Sequence, residues 1–230
     1  MNRLVQTDQA GVVRAIARGI DRALQNDMHV LWLLSGGSNI ALEVEVQKQL
    51  QHASKDKLTI SMIDERYVPL ISPHSNWHLL QRAGLSDEQA RFVPPIVNLD
   101  QSLEDIAADF AKRLDEAVLE ADVIIGQFGI GPDGHTAGIL PHSPAVNETS
   151  RLVVGYTGPD FERLTTTPAL FAKLDLAIAV AFGEAKAPIL ERMPSDISAA
   201  EQPAQLLLQA KELIVYTDQN ITWPSKEHNS

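Results

Sequence analysis

The chain has 230 residues, with 19 Lys plus Arg against 30 Asp plus Glu and a formal net charge of −11. This balance argues against a nucleic-acid binder, whose affinity rests on a basic surface, and any anionic substrate must be met by a local cluster of cations. Lack of cysteine excludes disulfides, zinc–cysteine sites and thiol catalysis, and 44% hydrophobic with 21% charged residues suits a globular chain rather than a disordered one.

The first stretch, MNRLVQTDQAG, has no apolar signal region, and no run reaches membrane-spanning length, so a cytoplasmic protein without membrane attachment is expected. Val13, Ile16, Ala17, Ile20 and Leu24 recur at helical spacing, with Thr7 or Asp8 as the cap. HVLWLL (29–34) is a continuous apolar run, the pattern of a strand covered on both faces. After the loop SGGSN, Leu42, Val46 and Leu50 form a second helical stripe. KLTISMID (57–64) predicts a strand and SNWHLLQRAGL (75–85) a short helix. Leu103, Ile106, Ala107, Phe110, Leu114 and Val118 mark the clearest amphipathic helix, which runs into a strand at DVIIGQFGI (122–130).

RLVVGY (151–156) is strand-like, and Thr167-Pro168 is an N-cap followed by a first helical residue. LAIAVAF (176–182) predicts another buried strand, GEAKAPILERM a helix, and ELIVYTD (212–218) a late strand. Strands alternating with helices predict an α/β fold: a doubly wound, mainly parallel, Rossmann-like sheet with helices on both faces. No linker divides the chain, so 1–230 is read as a single domain, with 68–102 irregular enough to be an insertion or a lid.

In open α/β sheets ligands bind beyond the carboxyl ends of the strands, so the polar residues after each strand carry the interest. Ser35-Gly36-Gly37-Ser38 combines glycines, hydroxyls and a helix start, which together make a phosphate cradle, a reading favoured over a tight strand-to-helix turn with capping serines. No G-K-[ST] follows, so it is not a Walker loop. Asp64-Glu65-Arg66 reads alone as a solvated loop, but one strand over it could set Arg66 beside the glycines as a bidentate phosphate ligand. Lys186, at the start of a helix, opposes the macrodipole unless an anion lies near.

GIGPDG (129–134) satisfies G-x-G-x-x-G literally. A dinucleotide loop, however, needs a long helix starting inside the glycines, and Pro132, Pro141 and Pro144 interrupt it. The usual place for such a loop, the first βα turn, is already taken by SGGSN. What remains is Asp133-Gly134-His135-Thr136 on a glycine-hinged loop, where His135 is either a packing histidine or a general base.

SGGS (35–38), DERYVP (64–69) with SN at 75–76, GIGPDGHTA (129–137), LPHSPAV (140–146), RLT (163–165) and FGEAKAPIL (182–190) together resemble the 6-phosphogluconolactonase family, related to glucosamine-6-phosphate isomerases. The resemblance implies hydrolysis of 6-phosphoglucono-δ-lactone to 6-phosphogluconate in the pentose phosphate pathway, with no obligatory cofactor, no metal and a phosphosugar lactone as the small-molecule partner. It further implies His135 as catalytic base, Asp133 as its positioning carboxylate, and Ser35, Gly36, Gly37, Ser38, Arg66 and Lys186 around the phosphate, with Arg163 as a further ligand contact. The chain departs from the family pattern at Asn39-Ile40, where the glycine loop usually continues Thr-Pro. It departs again at Gly138, usually Ser, and at Ser72, usually His.

Two rival functions are weighed against it. An isomerase or deaminase resembling the related branch would carry an acid a few residues beyond the histidine, and His135-Thr-Ala-Gly-Ile-Leu-Pro has none. A non-catalytic sugar-phosphate sensor would keep the cradle and could lose the base, yet Asp133 and His135 are both present.

Overall fold

The continuous apolar runs become the inner strands of one parallel sheet. The computed structural model describes residues 2–223. In chain order the elements are β1 (Asn2–Gln6), α1 (Gln9–Gln25), β2 (Val30–Leu34), α2 (Ile40–Gln49), β3 (Leu58–Met62), β4 (Asp64–Arg66), α3 (Asn76–Ala83) and β5 (Arg91–Val93). There follow α4 (Leu103–Glu120), β6 (Val123–Gly129), β7 (Val153–Thr157), β8 (Glu162–Thr166), α5 (Pro168–Phe171), β9 (Leu176–Val180), α6 (Ala187–Arg192) and β10 (Glu212–Thr217).

Seven strands form the main sheet in the order β1-β10-β9-β6-β2-β3-β5, every neighbouring pair parallel. All five residues of β2 are buried, because helices cover both faces. Leu31 and Leu33 point into one core with Phe110, Leu114 and Phe171, whereas Val30, Trp32 and Leu34 join Val12, Ile16 and Ile20 on the other. The strand period of two thus feeds two cores from one run. This is the doubly wound α/β architecture that the alternation predicts. Asp8, rather than Thr7, caps α1, accepting from Gly11 N at 2.7 Å. Thr167 and Pro168 stand at the N-cap and first turn of α5 as read, with the Thr167 hydroxyl donating to Arg151 O and making no side-chain cap bond.

Three readings need correction. KLTISMID is not one strand: β3 ends at Met62, and β4 leaves for a second, antiparallel sheet in the order β4-β8-β7. Ile63 is the junction, donating to Leu34 O at 2.8 Å while accepting from Thr166 N at 2.9 Å. RLVVGY lies in that second sheet, since Gly158 N closes on Phe161 O at 2.8 Å and so short a turn permits only antiparallel pairing. SGGSN is the second βα turn, because β1, an edge strand of mixed polarity, precedes α1. β5 and β8 also escape the sequence reading; the 68–102 segment supplies α3 and the edge strand β5. No helix among the described residues is long and apolar enough to cross a membrane.

Candidate active site

The strand order places the chemistry. From β2 the sheet grows outward through β3 to β5, and from β6 it grows the other way through β9 and β10, so the order reverses between β2 and β6. Such a switch point opens a crevice at the carboxyl ends of the two strands. The loops at that edge follow the neighbouring strands β3, β2, β6 and β9: 64–66, 35–39, 131–135 and 183–186. All four sequence-predicted loops are therefore gathered at one edge.

In the glycine loop the four predicted residues divide the work. The N–H groups of Ser35 and Gly36 donate to Glu43 at 2.9 and 3.3 Å, and Asn39 Nδ2 donates to the Ser35 hydroxyl at 3.0 Å. Gly37 and Ser38 are exposed in the 3₁₀ turn that leads into α2, at the open end of the loop. An anion would meet the start of α2 through those two residues, where helix-end N–H groups and dipole favour negative charge.

Asp64-Glu65-Arg66 is not a solvated loop. Glu65 is buried and accepts from Arg66 N at 2.7 Å, Asn76 N at 2.8 Å, Trp77 N at 2.8 Å and the Ser75 hydroxyl at 3.0 Å. It therefore fastens the N-terminus of α3, and this explains why the acid at 65 accompanies Ser-Asn ten residues later. Burial raises its carboxyl, with those hydrogen bonds acting in the opposite direction. Asn76 in turn accepts from Arg66 Nη1 at 3.2 Å and reaches Ser35 O at 3.5 Å, so Arg66 is tied to the glycine loop through one side chain. Phe161, on the β7–β8 turn, packs on the guanidinium, whose carbon lies 5.4 Å from the ring centre. Arg163 stands opposite Arg66 in the β4–β8 register, is 8% exposed and pairs with Asp160.

The histidine loop is built around a close approach. His135 Nδ1 lies 2.6 Å from Asp133 Oδ1, which also accepts from His135 N at 3.2 Å. With Nδ1 donating to the carboxylate, Nε2 keeps its lone pair. Partial burial pushes Asp133 up, but the hydrogen bonds and charge of His135 more than offset it and hold the carboxyl below its ordinary range. A Cβ on Gly131 would stand 2.1 Å from His135 Nδ1, so only glycine leaves room for the ring. Burial lowers Lys186, and the negative charge of Asp133 acts in the opposite direction.

Reading from the sequence assigns no role to Asp64 or Glu43. Asp64 lies against Gly138, which adopts φ +67° and whose missing Cβ would fall 2.9 Å from Asp64 Cβ and Oδ2. The absence of a Cβ at position 138 thus leaves room for the Asp64 carboxyl. Removal from bulk water pushes Asp64 up to about 7, with Glu65 adding to the rise and Arg66 and Arg163 opposing it. Glu43 is fully buried, and desolvation pushes it up to about 8 despite its bonds to the loop. An acid in the first turn of α2 is the signal that could have revealed it. Among the described residues no cluster of three or more His, Asp and Glu side chains is assembled as a metal site.

These raised values have a consequence for stability. Ordinary values for Asp64 and Glu43 are 3.8 and 4.5, so the folded state binds protons more tightly than the unfolded chain. The stability they contribute is fully present below those ordinary values and is lost as pH rises through about 7 and 8. The Tm should therefore fall between pH 5 and pH 9, and Glu43→Gln should flatten the upper part of that fall. Parallel Tm profiles for the two proteins would show that Glu43 does not titrate in this range.

Fold and site together define a doubly wound α/β protein whose switch point carries a histidine–carboxylate pair on the same sheet edge as a helix-start glycine loop. Residues 6–216 match the family model of glucosamine-6-phosphate isomerases/6-phosphogluconolactonase, and the chain belongs to that family. The 6-phosphogluconolactonase of Homo sapiens is 31% identical over 191 residues, covering 76% of this chain and 72% of that protein. Its Bos taurus counterpart is 29% identical over 219 residues, covering 86% and 83%. The crystal structure of 6-phosphogluconolactonase from Thermotoga maritima superposes with a TM-score of 0.80 at 20% identity, covering 94% of this chain and 99% of that one, and so shares its fold.

Proposed function

We propose that this chain is a carboxylic ester hydrolase that converts 6-phosphoglucono-δ-lactone to 6-phosphogluconate, acting as a single cytoplasmic domain without an obligatory cofactor. The observation that carries this reading is the 2.6 Å His135–Asp133 pair at the switch point, on the same sheet edge as the exposed Gly37-Ser38 turn and the segments that carry Arg66 and Lys186. The named relatives support the same substrate.

The chemistry needs an activated water, a stabilised oxyanion and a proton for the leaving ring oxygen. Neutral His135 takes a proton from water at Nε2 as the water oxygen attacks the lactone carbonyl. Asp133 stabilises the imidazolium that results. As the tetrahedral intermediate collapses, the ring C–O bond breaks and the imidazolium returns the proton to the departing alkoxide. Gly37, Ser38, Arg66 and Lys186 hold the remote phosphate, which restricts the substrate's orientation. Ser35 and Gly36 shape that loop, and Arg163 flanks Arg66.

If this is correct, Arg66→Ala raises KM by tenfold or more with a smaller change in kcat, since it removes binding at a distance from the reacting carbon. Steady-state kinetics on the variant provide the check; an unchanged KM would remove Arg66 from the phosphate site.

Asp64 favours one second reading, the sugar-phosphate isomerase or deaminase. Asp64 packs against Gly138, three residues beyond His135, and a carboxyl raised to about 7 there would be suited to moving a proton between adjacent carbons, the acid that the stretch after His135 itself lacks. One experiment separates the readings. The lactone is generated in situ with glucose-6-phosphate dehydrogenase and its decay compared with the spontaneous rate, with glucosamine 6-phosphate in parallel. Acceleration of the lactone alone establishes the hydrolase, and turnover of the amino sugar establishes the isomerase. Binding of 6-phosphogluconate without turnover of either substrate would leave a sensor.

A further inference from the structure

The glycine loop is braced from within by a residue that the mechanism above does not use. Glu43 sits among the buried residues Leu42, Val44 and Val46 of α2, and its side chain is fully buried. Its Oε1 accepts from Ser35 N at 2.9 Å and from the Ser35 hydroxyl at 3.2 Å, and its Oε2 accepts from Gly36 N at 3.3 Å. A carboxyl buried there is costly unless its hydrogen bonds are made, and these three go to a single turn. Burial alone would favour an apolar residue here, so the acid is explained by its bonds to Ser35 and Gly36.

We propose that Glu43 is the positioning residue of the glycine loop: by binding the amides of Ser35 and Gly36 it turns Gly37 and Ser38 toward the ligand and sets affinity for the substrate's phosphate end. The choice of ligand rests on the lactone reading; the geometry does not. Burial pushes the carboxyl up to about 8, with Asp64 as the charged neighbour that adds to the rise.

The test compares the wild type with Glu43→Leu and Glu43→Gln, each verified as folded by its thermal melt. Glu43→Leu should raise KM for the phosphorylated lactone at least tenfold, with kcat within threefold. The inhibition constant of inorganic phosphate, a probe of the cradle alone, should rise in parallel. Glu43→Gln keeps an oxygen for Ser35 and should fall between the two; it carries the test by itself if the leucine variant does not fold. Unchanged KM and phosphate inhibition in a folded variant overturns the proposal, as does a fall in kcat at constant KM. Should the wild type turn over no lactone, the hydrolase reading fails and Glu43 is judged by calorimetry with 6-phosphogluconate. Binding at least tenfold weaker in the variants supports its role, and equal binding, or none by the wild type, overturns it.

Discussion

His135→Ala is expected to lower kcat for lactone hydrolysis by about 10²–10⁴-fold, the usual contribution of a positioned acid–base group, while KM changes little. The ring lies over Gly131 and is held by one carboxylate, so its removal frees space at the cleft and leaves the sheet edge intact. The Gly37-Ser38 turn and Arg66 come from other strands, so 6-phosphogluconate should still bind the variant. Asp133→Asn should produce part of the same loss, because an amide leaves the imidazole without its counter-charge. Equal rates for wild type and His135→Ala, measured above the spontaneous background, would disprove the role given to this histidine.

Glu65→Ala should produce the largest loss of stability among the site residues. Truncation strands three backbone N–H groups and one hydroxyl in a buried setting. At about 1–3 kcal/mol for each unsatisfied group, and allowing for relaxation, a loss above roughly 3 kcal/mol is expected. Denaturant unfolding would register it as a lower midpoint at similar slope. Glu65→Gln keeps one acceptor oxygen and should cost distinctly less. A loss under about 1 kcal/mol for the alanine variant would mean that α3 finds other partners for its first N–H groups. The same change should loosen Arg66, since Asn76, which receives its guanidinium, begins the helix that Glu65 fastens.

The contrast between Glu65 and His135 shows why parts of this site were legible and others were not. DER at the end of a strand looks solvated because three adjacent charges usually are. Its burial arises from α3, whose N-terminus folds back onto β4, and one chain segment does not announce that contact. His135 is different: the loop around it is written locally, with Asp133 two residues away and Gly131 supplying the space. Glu43 is hidden for a further reason. It stands one position from the apolar stripe of α2, so a first-turn acid marks it in the sequence, but only the approach of the 35–36 turn shows that it is buried and which groups it binds.

By itself the sequence determined the alternation of buried strands and amphipathic helices, hence a parallel α/β sheet, and it placed the polar loops at strand ends. Hydrophobic period and turn chemistry are local properties, carried by the residues concerned. Only the tertiary structure decided the strand order, the departure of β4 into a second sheet, and the short edge strands β1 and β5. It also decided which charges are buried, Glu43, Glu65 and Arg163, the last brought opposite Arg66 by the β4–β8 register. Strand pairing and the burial of a charge depend on groups far apart in the chain, so their free energy appears only when those groups meet.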